Sequence, residues 1–409
     1  MASVVIIGGG AAGMFAAGTA LRKGFDVTVI DKNEKPARKV MITGKGRCNL
    51  TNNCSDIDEL IKNVASNPRF MYSAFSSFMP ADTMALFESL GVKLKTERGN
   101  RVFPVSDKAA DIVDALKKYA SGAKYVVGQV EKFEYNEGRI NAVVLKDGRI
   151  FRADSYILAT GGASYSRTGS SGDGYKLARS IGHDVTRIKP SLVPLIIREG
   201  FCPLLQGLSL KNVTLSLYEN GKSKPVYTEL GEMLFTHFGV SGPLVLSASA
   251  HIKDFDKNSY KIVIDLKPAL SVEQLDKRLC RDFSENSNKD FANSLNALLP
   301  KKLIPVIVSL SGIDATLKVN QITKAQRLAL VKLLKNLTLT VADFQDIEQA
   351  VITSGGISVK QINPKSMGSK LYKNLYFAGE VIDVDAYTGG FNLQIAFSTA
   401  FAAANSLEV

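Results

Sequence analysis

The chain is poor in the residues from which metal sites and disulfide frameworks are built. Its 409 residues include four cysteines, Cys48, Cys54, Cys202 and Cys280, and three histidines, His183, His237 and His251. These are too few and too scattered for a stapled framework or a zinc site, so no metal centre is expected. The uncharged stretch Ser3–Leu21 has no basic segment before it and is interrupted by glycines, which argues against a signal peptide or a membrane span. A second uncharged stretch, Ala386–Leu407, contains Asn, Gln and Ser and reads as a buried helix rather than a span. Internal repeats and low-complexity tracts are also missing. The expectation is a folded cytoplasmic protein of two or three domains with no membrane segment.

What the chain has is positive charge. Lys and Arg number 51 against 39 Asp and Glu, a net +12. Such a balance favours RNA, or anionic cofactors and substrates, although ordinary solubility charge is the plain alternative.

The first thirty-one residues organise the rest. Ser3–Ile7 is a short β-branched run of buried-strand type. Gly8-Gly9-Gly10-Ala11-Ala12-Gly13 follows, reading G-x-G-x-x-G, then an Ala-rich helical stretch stopped by Gly24. A second strand leads into Asp31. Gly8 allows the tight turn, Gly10 lets backbone approach a pyrophosphate, and Gly13 lets helix and strand pack closely. The helix start offers N–H groups and positive dipole to that phosphate, and Asp31 can accept from ribose hydroxyls. Strand, glycines, helix, strand and acid arrive in order, which points to a dinucleotide site.

Lys32 to Arg47 holds six basic residues, Lys39 among them, and one acid. The segment Thr43-Gly44-Lys45-Gly46-Arg47-Cys48-Asn49 is a loop that presents N–H groups and cations together, suited to phosphate or an anionic ring. Helices broken at Pro68 and Pro80 are expected over 57–90, and Asp107 is placed to cap a helix over 109–119. A strand is expected over 123–135, and a hairpin pairing 139–145 with 149–160 across Asp147-Gly148. The second arm runs into Thr160-Gly161-Gly162, another place for close ligand approach. Composition changes near Pro190: 192–270 reads as short strands and 271–348 as mainly helical. From 349 the glycine-rich α/β style returns, with Gly379-Glu380 ending a strand and Gly389-Gly390 feeding the helix that contains Asn392 and Leu393.

The segments VVIIGGGAAGMFAA, TGKGRCNLTN, ATGGASYSRTGSSGDGYKLA, FTHFGVSGP and LYFAGEVIDVDAYTGGFNLQIAFSTA span residues 4 to 400. Together they resemble the BaiN/RdsA family of NAD(P)/FAD-dependent oxidoreductases, two-dinucleotide-fold flavoproteins. One departure is Asp31, where many related flavoproteins carry Glu. The resemblance implies an α/β fold: a Rossmann-like FAD-binding domain made of 1–191 and 349–409, with 192–348 inserted. It implies that Gly8, Gly10, Ala12 and Gly13 hold pyrophosphate, that Asp31 and Lys32 meet the adenosine ribose, and that Val130 meets adenine. Lys39 joins the cofactor set. Thr43, Gly44, Arg47, Cys48 and Asn49 would line the flavin, Gly161 and Gly162 would lie on the cofactor, and Gly379 and Glu380 would lie by the ribitol-phosphate. Gly390, Asn392 and Leu393 would meet the pyrimidine edge.

No second G-x-G-x-x-G is present, so NAD(P)H is expected as a visiting co-substrate. The family's chemistry is ene reduction, of bile-acid enones or of uracil in ribosomal RNA, and a C=C conjugated to C=O needs a proton donor and a stabilised oxygen. Candidates are Cys48, Lys45, Arg47, Tyr165, His237 and Tyr387. Cys48 as a packing residue, and His237 as a structural one, are the competing readings. Three functions are carried forward: a reductase acting on a uridine of ribosomal RNA or its precursor, a reductase or oxidase of a small molecule such as an enone or amine, and a non-catalytic flavin-bound RNA-binding protein. Lys301, Lys302, Lys324, Arg327, Lys332 and Lys335 are a candidate RNA face, or the wet side of amphipathic helices. No RNP-type aromatic pair is present.

Overall fold

The computed structural model describes residues 1–255 and 257–408. It divides into two compact units, Met1–Ser191 with Ile347–Val409, and Leu192–Asp346. Among the described residues no helix is long and apolar enough to cross a membrane.

The first unit is built on a five-stranded parallel sheet in the order Leu375–Phe377, Ser155–Leu158, Ser3–Ile7, Asp26–Asp31, Lys124–Val127. Both chain ends contribute strands. Ser155–Leu158 is wholly buried and Ser3–Ile7 almost so, while Asp26–Asp31 buries Val27, Val29 and Ile30. Helices Ala11–Arg22 and Phe391–Asn405 pack together beside it, with the Phe15 and Phe397 rings 5.0 Å apart. Helix Ala109–Tyr119 packs on the first of these, where Gly18 leaves room for the Tyr119 ring.

The second unit is a closed six-stranded antiparallel barrel: Leu195–Ile197, Gly239–Ser241, Tyr227–Phe235, Ser209–Glu219, Tyr260–Asp265, Leu337–Phe344. Alternate residues such as Leu215, Leu217, Ile262, Ile264, Leu339 and Val341 fill its core. Helices Val272–Glu285, Ile304–Ser311 and Lys324–Lys335 belong to the same unit.

Local structure departs from the sequence expectation in four places. The run 123–135 splits at Gly128-Gln129 into Lys124–Val127, in the main sheet, and Val130–Asn136, in a separate antiparallel sheet. The run 149–160 also splits. Only Ile150–Phe151 pairs with Arg139–Leu145 in the hairpin, and Ser155–Leu158 joins the parallel sheet. Asp154 makes that turn, its carboxylate accepting from the Ser3 N–H at 2.8 Å and the Ser3 hydroxyl at 2.7 Å. Asp107 does not cap helix Ala109–Tyr119; Lys108 holds the cap position and the Asp107 carboxylate serves Arg47 and Lys95. The mainly helical segment 271–348 contains the strand Leu337–Phe344, which closes the barrel because it alternates buried and exposed residues.

Candidate functional site

The glycine turn sits between strand Ser3–Ile7 and helix Ala11–Arg22, and its three motif glycines differ. At Gly8, φ is +108° and a Cβ would overlap the Ala159 carbonyl. A Cβ at Gly13 would overlap the Gly8 carbonyl. At Gly10 φ is an ordinary −79°, and a Cβ would meet nothing within 4 Å. The folded chain therefore makes no demand for glycine at position 10, and the space outside it is where a ligand would lie. Gly10 is also the helix cap and no side chain bonds there, so the first-turn N–H groups remain available to an anion. The Thr160 hydroxyl beside this turn is buried and has no partner among the described residues. Asp31 braces the turn: its carboxylate accepts from the Gly9 N–H at 2.6 Å and from the Asn33 N–H at 2.7 Å, with acceptor capacity left over. These residues fit a dinucleotide.

Around the turn, cations and acids are paired. Lys32 binds Asp173 at 2.7 Å and the Ser171 hydroxyl. Gln129, next to Val130 at the start of its strand, donates to the same Asp173 at 3.1 Å. Lys39 donates to the buried Ser164 hydroxyl at 2.8 Å and to Glu380 at 2.9 Å. Glu380 also accepts the Thr353 N–H at 2.7 Å. Gly161 and Gly162 lie against this carboxylate; a Cβ on Gly162 would stand 2.7 Å from it. Gly379 backs onto the first helix, since a Cβ there would be 2.8 Å from that of Ala12. Ala12, Gly379, Glu380, Gly162 and Lys39 thus form one neighbourhood.

Loop 43–49 is tied to the start of the last helix. Gly44 and Lys45 are left-handed, so the 3-10 segment Thr43–Gly46 is a turn rather than a helix. The Thr43 hydroxyl donates to the Val40 carbonyl at 2.7 Å, and the Cys48 N–H to the Thr43 carbonyl at 3.0 Å. Turned so that its oxygen faces the Gly390 N–H at 3.0 Å, the orientation that satisfies both of its polar atoms, the Asn49 amide donates to the Thr51 carbonyl at 3.1 Å. Asn52 donates to the Gly389 carbonyl at 3.1 Å, and Asn392 closes loop 386–390 through both polar atoms of Ala386. Leu393, on the first turn of that helix, is part-buried.

Two candidates for chemistry, Cys48 and Arg47, are engaged within the protein. Cys48 is fully buried and its thiol is pushed up to about 12 by burial, against a smaller opposing effect of Thr43. It has no surface to offer a substrate, so the structure favours its packing role over proton donation. Arg47 is committed to carboxylates: it binds Glu97 and Asp107, and its guanidinium carbon lies 4.2 Å over the Phe103 ring. The hydrogen bonds to Glu97 and Asp107 hold the guanidinium in its charged form; Arg47 lowers the Glu97 carboxyl, and Lys95 first and Arg47 second lower that of Asp107. Arg47 braces the loop instead of projecting a free cation over a ring. Lys45 is exposed at the turn, and Tyr165 is part-buried in a left-handed conformation beside Ser164. Tyr387 is part-buried; burial first, and the Asp385 carboxylate second, raise its phenol above the usual value. His237 lies in the other unit, exposed on the turn after Tyr227–Phe235, its ring edge-on to Phe238 at 5.0 Å.

Sequence reasoning missed Asp385. It is buried among the hydroxyls of Ser191 at 3.2 Å and Ser354 at 3.1 Å, and burial raises its carboxyl above the usual value. Two acids alternating with apolar residues, Asp383 and Asp385 in Val381 to Ala386, are the available signal. Thr353 and Ser164 carried none, because their partners are far away in sequence.

The family model described as HI0933-like protein Rossmann domain matches residues 2–406. A 3-dehydro-bile acid delta(4,6)-reductase of Clostridium scindens is 31% identical, covering 98% of this chain and 98% of its own. A ribosomal RNA dihydrouridine synthase of Haemophilus influenzae is 33% identical, covering 99% of this chain and 98% of its own. The crystal structure of a 3-ketosteroid delta1-dehydrogenase from Sterolibacterium denitrificans matches with a TM-score of 0.52 at 14% identity, covering 99% of each chain, a likeness of fold.

Proposed function

This chain belongs to the HI0933-like Rossmann-domain family, and from that premise we propose that it is an FAD-dependent oxidoreductase that takes electrons from NAD(P)H to reduce an activated C=C, namely a uridine of ribosomal RNA. The observation that carries the cofactor reading is Gly10, a glycine that neither its φ nor any neighbour requires, at an uncapped helix start. The substrate reading rests on full-length likeness to a ribosomal RNA dihydrouridine synthase and on the +12 charge.

In this reading the first unit is the FAD-binding domain. Gly8, Gly10, Ala12 and Gly13 hold the pyrophosphate, Asp31 the ribose, and Val130 the adenine. Lys39, Gly162, Gly379 and Glu380 hold the ribitol side. Thr43, Gly44, Asn49, Gly390, Asn392 and Leu393 shape the ring site, and Arg47 positions their loop. A bound flavin supplies a two-electron, hydride-transferring group that no side chain offers. The protein's own tasks are to orient the pyrimidine, to supply a proton to the carbon next to its carbonyl, and to stabilise the oxygen. Tyr387 is the candidate for the proton, a phenol on the loop that Asn392 closes beside Gly390.

The comparable likeness to a bile-acid reductase supports a second reading, in which a small conjugated enone is reduced by the same machinery. Mass spectrometry of ribosomal RNA from a deletion strain separates the two. Loss of a two-hydrogen mass increment on one uridine is expected; an unchanged spectrum favours the small molecule. Purified protein should be yellow and release FAD on denaturation, and colourless protein without flavin affinity would defeat both readings.

A further inference from the structure

We propose that the tip of the hairpin formed by Leu94–Glu97 and Arg101–Pro104 receives the phosphate backbone of the RNA, through Arg98 and Arg101. This rests on the reading of RNA as substrate.

Three observations place it there. The first is position. Strand Arg101–Pro104 pairs with Thr51–Asn52, at the end of the loop assigned to the flavin ring. The Asn53 N–H donates to the Asn100 carbonyl at 2.7 Å. The Asn52 amide bridges the Gly99 carbonyl at 3.0 Å and the Gly389 carbonyl at 3.1 Å. One side chain thus joins the hairpin tip to the loop that carries Tyr387 and Gly390.

The second is charge. Arg98 and Arg101 are exposed, and among the described residues neither has a carboxylate ion-pair partner. The acids nearby, Glu97 and Asp107, are occupied by Arg47 and Lys95. Their negative charge is neutralised within the cluster, which leaves the tip positive. Lys45 is exposed on the neighbouring turn. Arg101 donates from Nε to the Arg98 carbonyl at 3.0 Å, which orders the tip and leaves its terminal nitrogens for a ligand. Guanidinium forks on an ordered turn match phosphate oxygens.

The third is the condition of the cations in the barrel unit. Arg327 is bound to Asp276 at 2.6 Å, and Lys335 to Asp265 at 2.6 Å and to the Leu270 carbonyl at 2.7 Å. Lys302 donates to the Gln206 carbonyl. Half of that candidate face is engaged within the protein, and only Lys301, Lys324 and Lys332 remain as plain exposed lysines.

The test uses the full flavin-loaded chain and a protein-free large ribosomal RNA transcript, with filter binding between about 50 and about 300 mM salt. The variants are R98Q/R101Q, R98K/R101K and K301E/K324E/K332E. R98Q/R101Q should bind on the order of tenfold more weakly at about 100 mM salt, with the log–log salt slope reduced by about 2. R98K/R101K should recover most of the loss, since phosphate accepts any cation, and flavin absorbance should match wild type in all three. Wild-type affinity and slope in R98Q/R101Q, or failure of the lysine pair to rescue, overturns the hairpin assignment while RNA reduction stands. If the wild-type protein retains no RNA at low salt, the hairpin assignment and the RNA reading both fall, whereas the flavin content reports on the oxidoreductase reading alone.

Discussion

Two helices of the first unit start in the same way and mean different things. Ala11–Arg22 follows Gly10 and Phe391–Asn405 follows Gly390, and neither glycine position has a side-chain cap. At Gly10 a Cβ would enter open space. At Gly390 φ is +99° and a Cβ would overlap the Thr51 carbonyl. The first helix start is open to a ligand, and the second is covered by the chain's own loop. A glycine at a helix start is therefore not by itself a phosphate signature; what stands outside it decides.

Substitution tests this contrast directly. Gly390→Ala should cost about 3 kcal/mol or more of unfolding free energy, from a left-handed alanine and a backbone overlap. Chemical denaturation reads it, and wild-type stability would show that the loop yields easily. Gly10→Val should leave the apoprotein's circular dichroism and denaturation midpoint unchanged while weakening FAD on the order of a hundredfold, about 2.7 kcal/mol. If Gly10→Val unfolds the chain instead, the two starts are alike after all.

Smaller effects sharpen the picture. Tyr387→Phe should slow substrate reduction on the order of a hundredfold with flavin retained and its reduction by NAD(P)H unchanged; equal turnover removes Tyr387 from proton delivery. Glu380→Ala strands the Thr353 N–H and Lys39, and should cost about 2 kcal/mol of stability, read as a lower melting temperature. Cys48→Ala should cost only about 1 kcal/mol and leave turnover intact, because the side chain it shortens is sealed in the core. A large loss of turnover without loss of flavin would restore Cys48 as a chemical group.

The glycine turn was legible in the sequence because its logic is local: Gly8, Gly10, Gly13 and Asp31 lie on one strand–helix–strand unit. The last helix was legible for the same reason. Arg47 was not, since a basic residue in a glycine loop looks free until Glu97 and Asp107 are brought to it from another hairpin and the loop before helix Ala109–Tyr119. Cys48 was ambiguous because loop composition suggests exposure, whereas its left-handed backbone turns the thiol inward. The splits fall at short polar breaks, Gly128-Gln129 and Arg152 to Ser155, which look like irregularities within one strand until tertiary pairing sends the two pieces to different sheets.

The strand order also has a consequence for synthesis. The parallel sheet needs Leu375–Phe377, and the face of helix Ala11–Arg22 needs Phe397, yet both are encoded after the whole barrel unit. At about 5–20 residues per second, a ribosome spends on the order of ten seconds on the intervening segment. Through that interval the amino-terminal half has an uncovered apolar helix face and an unpaired sheet edge; on the proposal that the last helix shapes the ring site, flavin binds only after that helix leaves the exit tunnel.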